Sequence, residues 1–221
     1  MEKTAVKKTT KIDKRKKILD GYKHHVLEHG REPVSVFKFS KDISIKETDF
    51  YAHFASFGAI KSAVWQQIFS DTVHGIESDN VYQEYNSREK LLAFFFTWIE
   101  ELKKNRSYLL ALYEDKIDLK NLMPKEMQGF KKDFKEFVND ILDEGKDREE
   151  IVKRPYISER YDEALWLEVM FIFRYWIQDE SESFEKTDEA IEKSVNLAFD
   201  LMGKSALDTF VDFAKFLYQS K

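Results

Sequence analysis

The stretch Ile43-Ser-Ile-Lys-Glu-Thr-Asp-Phe-Tyr-Ala-His-Phe-Ala-Ser-Phe-Gly-Ala-Ile60 decides how the rest of the chain is read. Ser44 followed three residues later by Glu47 is a capping box, which predicts a helix beginning at Ile45. Phe50 and Phe54, four residues apart, share its buried face, and Lys46, Glu47, Ala52 and His53 can point elsewhere. Ser56 caps a second helix that runs through Ile60, Val64, Trp65 and Ile68 to about Ile76. Upstream, Gly30 closes a helix expected from about Asp13 to His29, with Ile18, Leu19, Tyr22, Val26 and Leu27 inward. Ser35 then caps a short helix with Val34 and Phe39 as its hydrophobic staple, and Asp42 to Ser44 is the turn. The outline is a helix-turn-helix.

Composition narrows the function classes. A chain of 221 residues, 43% hydrophobic and 15% aromatic, suggests one or two domains with a real core. No run approaches the roughly 18 apolar residues of a membrane span, and the charged N-terminus holds no signal-peptide core. The absence of cysteine excludes disulfides, thiolate chemistry and cysteine-ligated zinc. A cytoplasmic protein without membrane contact is expected. The net charge of −5 hides an asymmetry: residues 1–61 hold 14 Lys/Arg against 8 Asp/Glu, and the remainder holds 22 against 33. A basic N-terminal unit on an acidic body suits a small DNA reader on a scaffold that does not bind DNA. Lysine-rich termini are also common solubilising tails, so the asymmetry alone leaves both open. Residues 1 to about 11 read as disordered. Lys7, Lys8, Lys11, Lys14, Arg15, Lys16 and Lys17 are dense enough to meet phosphates.

The body reads as helices throughout. After a polar loop over residues 78–87, Ser87 caps a helix carrying Leu91, Leu92, Phe95, Trp98, Ile99 and Leu102. Asn105 to Ser107 breaks it before a shorter helix from Tyr108 to about Asp115. Pro124 opens the next, whose inward stripe is Met127, Phe130, Phe134, Phe137, Val138, Ile141 and Leu142. Residues 145–155 read as charged and exposed. Residues 161–178 are apolar nearly all round, so one side needs the protomer's own core and the other a partner. Thr187 caps a helix with Ile191, Val195, Ala198 and Leu201 or Met202, and Gly203 breaks it. A last helix is expected over Leu207, Phe210, Val211, Ala214 and Leu217. The architecture is all-α, with about nine or ten helices and no strand pattern.

Tyr51 and Phe54 with His53 between them, then Ser56, Ala59 and Ile60, resemble the recognition helix and Ser-capped connecting helix of the TetR (tetracycline-repressor-like) regulators. The resemblance implies an N-terminal helix-turn-helix DNA-binding domain over residues 1–61 and an effector-binding and dimerisation domain over 62–221. It implies a homodimer through helices within 161–202, whose paired readers address a palindromic operator in double-stranded DNA. Lys14, Lys17, Ser35, Lys46, Glu47, Thr48, Tyr51, His53 and Lys61 are the expected DNA contacts. The chain departs from the family at Lys46-Glu-Thr-Asp49, usually a small, often glycine-containing stretch with threonine in the place of Asp49, and at Phe57-Gly58, usually Lys-Glu. Glu47 can complete the capping box or accept from cytosine.

Relatives enclose an effector between the helices of the body. Phe95, Trp98, Phe130, Phe134, Trp166 and Phe173, with Arg174 as polar anchor, are the expected lining for a small apolar effector. The same rings at helical spacing also suit plain core. His24, His25 and His29 lie beside Glu28 without a metal-ligand spacing, and no nucleophile, phosphate loop or catalytic pair is visible. No enzyme activity, cofactor or metal is expected. The expected function is a DNA-binding repressor released by an apolar molecule. The alternatives are a TetR-fold dimer that has lost operator reading and binds lipid or other apolar molecules, and a dimeric adaptor that binds only protein.

Overall fold

The computed structural model describes residues 2–114, 123–155 and 157–204, with side chains from Lys14 onward. The described residues form nine α-helices and no strand: α1 (Glu2–His29), α2 (Val36–Asp42), α3 (Glu47–Tyr51), α4 (Phe57–Glu77), α5 (Ser87–Lys104), α6 (Arg106–Tyr113), α7 (Gln128–Asp147), α8 (Tyr161–Ile177) and α9 (Glu185–Met202). The helix expected over residues 207–217 lies outside them. No helix among them is long and apolar enough to cross a membrane.

Two compact units share these helices, one of residues 1–71 and 100–130, the other of residues 72–99 and 131–221. In the first, α1 buries Ile18, Tyr22 and Val26 and packs against α6, where Lys23 donates to Asn105 at 2.9 Å. Leu27, expected inward, is exposed. Helix α1 begins at Glu2, well before Asp13; its Ala, Glu and Lys residues are good helix formers. Gly30 ends it in the left-handed region at φ 63°, its N–H donating to the Val26 carbonyl.

Several caps differ from expectation. Ser44 does not cap α3: it sits in the turn at φ 55°, and the helix starts two residues later than Ile45, at Glu47. Asn86, not Ser87, caps α5, exchanging bonds of 2.9 Å with Glu89 through both side chains and both backbone N–H groups. Ser87 is buried, its hydroxyl donating to the Ile141 carbonyl. Gly145 and Ile151, read as exposed, are buried, because α7 continues to Asp147 and the chain folds back over its end. At α9 the cap belongs to Asp179, whose carboxylate accepts from the Thr187 hydroxyl at 2.6 Å and its N–H at 2.9 Å.

In the second unit, α7 turns its stripe of Phe134, Val138, Ile141 and Leu142 inward. Lys131 and Lys135 of α7 pair with Glu163 at the start of α8, both at 2.8 Å. Helix α8 packs against α9, burying Leu165, Val169, Ile172 and Trp176 on one side and Ile191, Val195 and Phe199 on the other.

Candidate nucleic-acid interface

Four rings hold the helix-turn-helix together. Phe39 of α2 meets Phe50 of α3 edge to face at 6.0 Å, and Phe57 at the start of α4 lies 5.5 Å from Phe39 and 5.7 Å from Phe50. Tyr22 of α1 stacks on Phe57 at 5.5 Å. Such contacts add about 0.5–1.5 kcal/mol each beyond simple burial. The Arg15 guanidinium lies 5.0 Å over the Phe54 ring and ties α1 to the end of the motif. Ser35 caps α2 as expected, accepting from the Lys38 N–H at 3.2 Å, and Ser56 caps α4, accepting from Ala59 at 3.2 Å. Val34 stays exposed, so the staple it was expected to form with Phe39 is absent; Pro33 beside it is buried instead.

Close approach sets the turn. A Cβ on Gly21 of α1 would stand 2.7 Å from Ile43 Cγ2, so only glycine lets the turn lie this near α1. With Phe50 fully buried as its anchor, α3 leaves Lys46, Glu47, Thr48 and Tyr51 exposed. Lys16 and Lys17 of α1 are exposed too, and line a cleft with Ser44.

The other expected contacts are differently engaged. Lys14 pairs with Asp49 of α3 at 2.9 Å, and Asp49 also accepts from the Lys46 N–H at 3.4 Å. The Lys14 hydrogen bond holds the Asp49 carboxyl below its ordinary value. Lys61 is not a free cation for phosphates: its ammonium lies 2.9 Å from Glu32 and 3.1 Å from Glu126, and its side chain is 18% exposed. Burial works against its charge, but the two carboxylates raise its pKa overall. Tyr22 donates to Glu32 at 2.7 Å and Tyr113 to Glu126 at 2.9 Å, so Lys61 is the centre of a polar cluster joining α1, α4 and α6. Sequence reading missed this cluster, since its members are up to 104 residues apart, from Tyr22 to Glu126. His53 is half-buried. His25 and His29 stack at 4.2 Å on α1, and no group of three metal-type ligands occurs among the described residues.

The aromatic residues expected around an effector are packed core. Trp98 lies 6.3 Å from Phe173, Phe134 lies 5.2 Å from Phe94 and 6.1 Å from Trp166, and Phe95 is fully buried beside them. Phe130 belongs to the other unit and meets Trp65 and Phe69 edge to face. Arg174 is half-exposed. Among the described residues, an open apolar groove of about 500 Å³ runs between α8 and α9, lined by Leu165, Leu167, Phe171, Leu197, Ala198 and Leu201 among others. Leu167, Phe171, Leu197 and Leu201 are about half to two-thirds exposed there.

Residues 90–217 match the family described as tetracyclin repressor-like, C-terminal domain, and that span is more than half of the chain. The chain belongs to the TetR family. Solved structures share its fold, two of them from the same source. One is a protein with unknown function from Rhodococcus sp. RHA1, 11% identical, with a TM-score of 0.57 over 86% of this chain and 96% of that one. The other is a bacterial regulatory protein in the tetR family from Rhodococcus RHA1, 12% identical, with a TM-score of 0.51 over 87% and 98%. No curated protein matches. In this TetR-family chain two of the departing residues have structural work. Phe57 completes the ring cluster of the helix-turn-helix, and Asp49 joins α3 to α1.

Proposed function

We propose that this TetR-family protein is a repressor that binds a palindromic operator as a homodimer, with residues 1–61 as the reader and the rest as effector-binding and dimerisation domain. The observation that carries the reading is α3: Phe50 anchors it, and Glu47, Thr48 and Tyr51, with Lys46 at its start, are exposed to solvent. A short helix presenting such side chains fits the major groove, about 12 Å wide. Lys16, Lys17 and the cap at Ser35 flank it for phosphates. Lys14 supports α3 more than it supplies free charge, and Lys61 stabilises the base of the motif.

The half-exposed leucines and Phe171 of α8 and α9 support a four-helix interface between two copies, which would space two α3 helices for one operator. The effector is a small apolar molecule. It would enter among the rings of Phe95, Trp98, Phe134, Trp166 and Phe173, parting contacts that are closed without it, with Arg174 as its polar anchor. The duties of Phe57 and Asp49 favour this reading over a fold relative that has lost DNA binding. Titration of genomic fragments at several salt concentrations tests it. One palindromic fragment should bind far above bulk DNA, by a factor of roughly 10³ or more. Equal, salt-sensitive binding to all fragments would overturn the reading.

A further inference from the structure

Glu168 stands alone on the groove side of α8. Its neighbours three or four residues away on the helix are Ala164, Leu165, Phe171 and Ile172. Across the groove, α9 offers Ser194, Leu197, Ala198 and Leu201. Both carboxylate oxygens are buried, and neither has a hydrogen-bond partner among the described residues. The Ser194 hydroxyl donates elsewhere, to the Ile191 carbonyl at 3.2 Å. The other titratable groups lining the groove are Arg160 and Tyr161, and the Tyr161 hydroxyl accepts from Arg154 at 2.9 Å. Burial pushes the Glu168 carboxyl up to about 7; the Ser194 hydroxyl lowers it only in part, and only by turning from the Ile191 carbonyl towards the acid.

The consequence for Glu168 rests on the α8–α9 face being the self-association surface. A second copy brings the same apolar stripe and its own Glu168, and closing the face displaces the water of the open groove that lies nearest both buried acids. An unpaired carboxylate is strongly disfavoured in such a place, and taking up a proton relieves it. We propose that Glu168 binds a proton when the α8–α9 face closes on a second copy, so that assembly, and with it paired DNA reading, is proton-linked. Association raises the affinity of Glu168 for its proton above that in the single chain. Self-association is therefore complete in strength at acid pH and weakens as pH rises past about 7. One proton per copy gives a dissociation constant that grows by up to roughly 100-fold per pH unit in that range.

Sedimentation equilibrium of the full chain between about pH 5.5 and about pH 8.5 tests this, with Glu168→Gln, Glu168→Met and Leu167→Asp beside the parent. The parent should dissociate progressively above neutrality. Glu168→Gln and Glu168→Met, two replacements so that one poorly folded variant does not decide the matter, should associate at all pH values at least as tightly as the parent at acid pH. An identical pH profile in parent and both variants would overturn the proton linkage while leaving the dimer standing. So would tighter association at higher pH, which would mean that Arg160 of the second copy pairs with an ionised Glu168. A parent that stays monomeric throughout, unchanged by Leu167→Asp, would overturn the interface itself.

Discussion

Lys14 of α1 reaches to within 2.9 Å of Asp49 of α3, while the other Asp49 oxygen accepts from the Lys46 N–H at 3.4 Å. One carboxylate thus starts α3 and fixes it to α1. An acid facing DNA should weaken binding if it merely adds negative charge, and should support binding if it positions α3. Positioning predicts that Asp49→Asn lowers operator affinity several-fold. It further predicts that Lys14→Ala/Asp49→Asn binds no worse than the weaker single variant, because the two act as a unit. Fluorescence anisotropy with the operator fragment measures this, and an Asp49→Asn protein that binds more tightly would reject the positioning role.

Gly21 gives a second test. Its absent Cβ is what lets Ile43 approach, and Ile43 is branched and held in a turn, so it cannot swing aside freely. Gly21→Ala should destabilise the protein by about 1–3 kcal/mol, the usual range for overpacking, despite the better helix propensity of alanine. A thermal melt at or above that of the parent would show that the turn yields without strain.

Lys61 holds Glu32 and Glu126 together in a half-buried place. Lys61→Met keeps the stem and removes the charge, which leaves two carboxylates without the cation between them. At pH 7 this should cost about 2–4 kcal/mol of stability, since an uncompensated buried charge is the costly outcome. In the parent the sign is that of a raised amine: the contribution is present below the ordinary lysine value and fades only as pH rises through the higher folded value. Urea denaturation of both proteins at about pH 7 reads the difference, and a variant as stable as the parent would reject the central role of Lys61.

The helix-turn-helix was legible because its signals are local. The serine caps at positions 35 and 56, the glycine stop at 30 and the Phe50–Phe54 spacing all act within one or two turns of helix. Ser44 misled because a serine three residues before a glutamate satisfies the capping pattern, yet here the backbone turns left-handed at that serine. Lys61 and the ring cluster around Phe57 were not legible, since their partners are distant in sequence. The aromatic stripes of α5, α7 and α8 gave burial correctly but not whether a cavity lies among them, which depends on how the rings meet. Glu168 was passed over inside an apolar run. A lone acid in such a run was the available signal.

The groove face should tolerate charge in the single chain and not in an assembly. Leu167 and Leu201 are 61% and 63% exposed, so replacing either with aspartate removes little from the protomer's core. Leu167→Asp/Leu201→Asp should melt close to a dissociated parent and sediment as a single chain at all concentrations. Operator binding should then fall by orders of magnitude, because two half-sites are no longer read together. A double variant that still binds the whole operator like the parent would show that paired reading does not depend on this face.

Asp179 governs how α9 begins, and so whether that face exists. Burial disfavours its charge, but hydrogen bonds from Ser181 and Thr187 prevail and hold its carboxyl at about 2. Its folded value lies below the unfolded one, so its contribution is whole above about pH 4 and is lost as pH falls towards 2. Asp179→Ala should cost about 1–2 kcal/mol at neutral pH, the scale of a lost helix cap. The variant should also lack the parent's loss of stability between about pH 4 and about pH 2 that this group causes. Hydrogen exchange at the first turn of α9 localises the effect: amides near Thr187 should lose protection in the variant while those near Val195 keep theirs. Equal protection at Thr187 in both proteins would mean that packing of Ile191 and Val195, not the Asp179 cap, starts the helix.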